Sequence, residues 1–126
     1  PGDSLRKPRI DASEHEIQSS FVEWARIKSK TDPRFTMLFS IPNGVRCSMR
    51  KGVLLKKEGR ESGVPDMFLA VPSGTKHGLF IEFKTAVGKL SSTQLDWQKK
   101  LVLQGYKALV IRSLEEAIDA TEKYLL

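Results

Sequence analysis

Asp66-Met67-Phe68-Leu69-Ala70-Val71, which follows Gly63-Val64-Pro65, and, after a seven-residue turn of Pro72 to Gly78, Leu79-Phe80-Ile81-Glu82-Phe83-Lys84 read as two strands of a hairpin. Side chains of a strand alternate between faces, so one set of alternate residues shares each side of the sheet. The odd set, Met67, Leu69, Val71, Leu79, Ile81 and Phe83, is wholly apolar and belongs to the core. The even set is Asp66, Phe68, Ala70, Phe80, Glu82 and Lys84, which gathers three ionisable groups at one end of an apolar face. A symmetric hairpin pairs Val71 with Leu79 and Asp66 with Lys84. An error of one residue in that register would scatter the three groups across both faces.

Working outward, Ile17, Phe21, Trp24 and Ala25 follow a helical period, with Lys28 at its edge. This predicts a helix over 14–30, capped by Asp11 or Ser13 and ended by Asp32-Pro33. Phe35, Met37, Phe39 and Ile41 alternate and predict a strand that Pro42 stops, with Asn43-Gly44 as a turn. Val53, Leu54 and Leu55 lie inside a basic segment and suggest a short helix ended by Gly59. Ser91 or Ser92 starts a helix to Gln104, with Leu95, Leu101 and Val102 as its apolar stripe. Lys107 to Ile111 forms a fourth strand, and Ser113-Leu114-Glu115-Glu116 is a capping box for a last helix to Leu125. A strand, a helix and a strand in succession require a parallel pair with a right-handed crossover. The expected fold is α/β: a mixed sheet flanked by helices, in the order αβββαβ with a further helix at the end.

The chain has 126 residues with 40% hydrophobic and 29% charged, a globular composition sized for one domain. Residues 1–12 carry two prolines and three basic residues and read as a basic arm; the start on Pro1 suggests a trimmed or cleaved beginning. The remainder, 13–126, reads as the single domain. Lys and Arg outnumber Asp and Glu by 21 to 15, which favours polyanion partners. Cys47 is the one cysteine, so no intrachain disulfide can form and a reducing compartment is the default. No apolar run approaches the length of a membrane span. A cytoplasmic location is expected.

Two carboxylates and a lysine within mutual reach suit phosphate chemistry. Hard oxygens bind Mg²⁺, which also accepts phosphate oxygens. Such a metal acidifies bound water and offsets charge developing on phosphorus. A nearby lysine steadies phosphate or orients water as a point charge. The Phe83 carbonyl, between Glu82 and Lys84, is the natural further donor. His15 and His77 have no spacing partner, and the lack of a His or Cys cluster argues against zinc.

Gly63-Val64-Pro65-Asp66, then fifteen residues, then Glu82-Phe83-Lys84 resembles the PD-(D/E)XK nuclease motif. Glu16-Ile17-Gln18 on the first helix, Ile41-Pro42-Asn43-Gly44, and Gly88-Lys89-Leu90-Ser91 leading to Gln94 narrow the resemblance. Together they are similar to the virus-type replication-repair nuclease domain, VRR-NUC, over roughly residues 14–115. The resemblance implies a restriction-endonuclease-like core in which Asp66, Glu82 and the Phe83 carbonyl hold Mg²⁺ or Mn²⁺ and Lys84 is the catalytic lysine. It gives Glu16 a place at the metal, directly or through water, and Gln94 a role in holding the lysine or a water. Stand-alone viral and bacterial members resemble Holliday-junction resolvases and act as homodimers. The implied activity is endonucleolytic hydrolysis of branched DNA, leaving a 5′-phosphate and a 3′-hydroxyl.

Each residue also has a plainer reading. Glu82 and Lys84 can form an exposed strand ion pair, which is worth little. Ser13-x-x-Glu16 and Ser91-x-x-Gln94 are both capping boxes. Glu14 takes the place of Glu16 if the helix is rotated. Arg46, Arg50, Lys51, Lys56, Lys57 and Arg60 stand against Glu58 alone, a lopsided run read as a DNA-backbone contact because neutralised phosphates release counterions. The competing functions are a catalytically silent nucleic-acid-binding module and a nuclease of linear duplex.

Overall fold

The computed structural model describes residues 12–42 and 49–126. The arm up to residue 11, the Asn43-Gly44 turn, Arg46 and Cys47 lie outside the described residues. Helix α1 spans Glu14–Lys28 and is capped by Ser13, whose hydroxyl accepts from the Glu16 amide while the Glu16 carboxylate accepts from the Ser13 amide. Ile17, Phe21 and Ala25 are its buried stripe, as their spacing requires.

The next segment departs from the sequence expectation. Pro33–Met37 is a 3₁₀ helix, and only Leu38–Ser40 forms strand β1. Asp32 caps the 3₁₀ turn through the Arg34 amide, and Pro33 with its fixed φ starts it. The apparent alternation is therefore cut short: Phe35 is buried, whereas Met37 and Phe39 are about half exposed. Helix α2 spans Met49–Lys57, and Gly59 beyond it takes φ +103°, the left-handed value expected of a helix stop.

Strands β2 (Met67–Leu69) and β3 (Leu79–Phe83) pair antiparallel, helix α3 covers Ser92–Leu103, and strand β4 (Lys107–Ile111) pairs parallel with β3. Helix α4 runs over Leu114–Tyr124. The sheet order is β1-β2-β3-β4, with β1 antiparallel to β2. This is the mixed α/β sheet with flanking helices read from the sequence.

The hairpin register differs from the symmetric pairing. Leu69, not Val71, lies opposite Leu79, and Met67 lies opposite Ile81. Val71 is taken by another contact: its carbonyl accepts from the Tyr124 hydroxyl at 2.7 Å, tying the hairpin loop to the end of α4. The displacement is two residues, so every side chain keeps its face. Met67, Leu69, Leu79, Ile81 and Phe83 are fully buried beneath α1 and α4, with Ile17, Phe21, Leu114 and Ala117. On the even face Phe68 stacks on Phe80 at 4.3 Å between ring centroids, and Phe39 packs edge-on to Phe68.

Helix α3 also departs from expectation, since none of its residues is fully buried and Leu95 and Val102 are about half exposed. Its first turn reaches the even face through the hydrogen bond from Gln94 to Glu82. Among the described residues, no helix is long and apolar enough to cross a membrane.

Candidate active site

The β2–β3 ladder ends at Met67–Ile81, so the next positions, Asp66 and Glu82, fall beside each other. This replaces the predicted Asp66–Lys84 pairing and brings the two carboxylates closer than the sequence reading had them. One Asp66 oxygen accepts from the Phe83 amide at 2.8 Å, which fixes that carboxylate across the strand end. Glu82 hydrogen-bonds Asp66 and also accepts from the Gln94 side-chain amide at 3.1 Å.

Among the described residues, Glu82 is the only ionisable side chain that is fully buried, at 2% exposure. Burial, then the Asp66 charge and the hydrogen bond from Glu82 to Asp66, push its carboxyl up to about 8; the Lys84 cation opposes this and the Glu14 charge adds to it. Glu82 therefore keeps its proton well above the usual carboxylate range. Lys84 follows directly after β3 and its amide donates to the Ile111 carbonyl. The loop beyond it is held by Arg112, whose guanidinium donates to the Thr85 and Gly88 carbonyls at 2.7 and 2.6 Å.

The carboxylates line a polar cleft of about 350 Å³. Its walls come from α1 through Glu14, from the loop before β2 through Arg60, Ser62 and Gly63, and from the start of α3 through Thr93 and Gln94. Gly63 stands at φ +90°, and a Cβ there would lie 2.8 Å from the Thr93 carbonyl carbon. Only glycine allows the loop to turn this way and touch the α3 backbone.

Gln94 makes its predicted capping box and a second bond that the sequence reading did not give it. Its side-chain oxygen accepts from the Ser91 amide in a capping box, while its nitrogen reaches Glu82. It holds the carboxylate rather than the lysine. On α1 the structure separates the candidates. Glu16 serves the capping box, and Glu14 lines the cleft. The signal was present in the sequence: Glu14 lies one turn before Ile17 on the inward stripe, and Glu16 does not. Arg50, Lys51, Lys56 and Lys57 are exposed on or beside α2, whereas Arg60 is half-buried in the cleft wall. Thr93 carried no signal in the sequence. Among the described residues, no three His, Cys, Asp or Glu side chains form a ready-made metal cage.

A mixed sheet carries an Asp, a Glu and a Lys toward the end of one hairpin, with a helix glutamine holding the Glu. The sequence matches the VRR-NUC domain over residues 4–115, and the chain belongs to that family. A similar solved structure, described as a VRR_NUC domain protein, is 25% identical. The likeness covers 89% of this chain and 87% of that one, with a TM-score of 0.76. No curated protein matches the sequence.

Proposed function

We propose that this chain is a divalent-metal-dependent endonuclease that hydrolyses phosphodiester bonds in branched DNA, acting on four-way junctions as a homodimer. The observation that carries the reading is Glu82: a buried carboxyl pressed against Asp66 in a polar cleft that opens to solvent. A buried carboxyl beside a second carboxylate is costly to ionise unless something positive joins them. The donors are all oxygen, which fits Mg²⁺ or Mn²⁺. Asp66, Glu82 and the Phe83 carbonyl would hold the ion, with Glu14 in the position first given to Glu16. When bound, the ion supplies an acidified water and neutralises charge at the scissile phosphate.

The chain's own groups have definite tasks. The Phe83 amide fixes the Asp66 carboxylate, and the Gln94 amide fixes that of Glu82. Lys84 places a cation next to the pair and stabilises the phosphate as negative charge builds. The exposed cations of α2 bind the DNA backbone without reading its sequence. Two matched cuts across a junction require two such sites, which a twofold dimer provides.

The test is cleavage of a labelled four-way junction in Mg²⁺ or Mn²⁺, beside flap, splayed-arm and plain-duplex substrates. Wild type should cut the junction, and Asp66→Ala and Lys84→Ala should bind it while losing at least about a hundredfold in rate. No cutting with either metal would leave a nucleic-acid-binding module. Equal cutting of duplex and junction would leave a linear-duplex nuclease.

A further inference from the structure

A second groove lies next to the carboxylate cleft, and the two share Arg60 and Val64 as a common wall. Its volume is about 680 Å³, within the range of small-ligand clefts of about 300–1,000 Å³. Ile41, Pro42, Leu55 and Trp97 give it an apolar lining drawn from the segment after β1, the last turns of α2 and the middle of α3. Trp97 is half-buried, and the Lys100 ammonium stands 5.5 Å from its ring centroid. We propose that this groove receives an unpaired nucleobase, from a nucleotide neighbouring the scissile phosphate, and holds it against Trp97. The proposal rests on the DNA-binding part of the function above and narrows its substrate to DNA with an extrudable base beside the cut.

Charge selects this occupant. Lys51 and Arg60 line the groove together with Glu58 and Glu61, so its cations and carboxylates balance. A phosphate gains nothing from a neutral lining. A nucleobase is neutral and carries both exocyclic donors and ring acceptors, which match carboxylates and cations respectively. Its flat apolar ring matches an indole, and stacking on aromatic side chains is tolerant of base identity. The phosphates flanking that base have the cations of α2 on one side and the carboxylate cleft on the other.

The groove would also explain a preference for branch points. A base in intact duplex must be unstacked and unpaired before it enters, at a cost of a few kcal/mol, and a base at a branch has already lost part of that stacking. Selectivity for branched structure then needs no additional recognition domain.

Binding measured by fluorescence anisotropy in EDTA, where no cut occurs, tests this with the full chain. The probes are a duplex with one unpaired nucleotide, the same duplex with an abasic sugar at that position, and the fully paired duplex. Wild type should bind the unpaired base about tenfold tighter than the abasic probe. Trp97→Ala should reduce that ratio to near one while leaving paired-duplex affinity within twofold, and Trp97→Phe should keep most of it. Equal affinity of wild type for the base and abasic probes overturns the proposal, and needs no variant to fold. So does an equal loss on all three probes with Trp97→Ala, or no DNA binding at all. Quenching of 2-aminopurine at the unpaired position on wild-type binding supports it; unchanged fluorescence counts against it. Base-dependent binding without metal-dependent cutting would reject the nuclease reading alone, and cutting without base dependence would reject the groove alone.

Discussion

Glu82 pays for its position in a way that pH exposes. A carboxyl held at about 8 in the fold, against an ordinary 4.5, binds its proton more tightly folded than unfolded. The stabilisation is complete below about pH 4.5 and disappears as pH rises through about 8. The metal-free protein should therefore have a lower urea midpoint at pH 8.5 than at pH 5, and Glu82→Gln should flatten that slope. An equal slope in the variant would contradict the assignment. A divalent ion at this pair competes with the proton, so its affinity should rise over the same interval. At this scale most of the site was legible. Asp66 and Glu82 were readable from two periodic strands, and Gln94 through the family resemblance, its spacing alone giving a capping box. Helix phase puts Glu14 in the cleft wall, while Glu16 makes the capping box the sequence also predicted.

Between elements, the decisive contact is the loop before β2 against the start of α3. Gly63 permits it by taking a left-handed φ with the Thr93 backbone within 3 Å of where a Cβ would stand. Gly63→Ala should cost about 1–3 kcal/mol in urea denaturation, since both conformation and space are wrong. It should also displace Gln94 from Glu82 and lower the cleavage rate of the protein that remains folded. A variant as stable and active as wild type would show that the contact is dispensable. The hairpin register illustrates what sequence withholds at this level. Face membership depends on parity and survives a two-residue shift, whereas the pairing itself changes: Val71 leaves the ladder and accepts from Tyr124, 53 residues away. The strand expected over 35–41 failed for a local reason: Asp32-Pro33 nucleates a 3₁₀ turn that consumes its first half. The stripe assigned to α3 failed: Leu95 and Val102 are half exposed, and no residue of the helix is fully buried.

The whole molecule carries a formal charge of +6 and presents exposed apolar residues on α3, with Leu103 83% exposed. Both properties suit a protein that meets a polyanion and a second copy of itself. Sedimentation equilibrium at working concentration should give a dimer mass. A monomer that still resolves four-way junctions would contradict the twofold arrangement. The central claim concerns one place in this molecule, the convergence of Asp66 and Glu82 on a divalent cation. Anomalous diffraction from crystals soaked in Mn²⁺ tests it directly. The account predicts a manganese peak bonded to both carboxylates and the Phe83 carbonyl, and lost in Asp66→Ala. Manganese absent from that cleft at saturating concentration and at pH above 8, or bound only elsewhere on the surface, would contradict it.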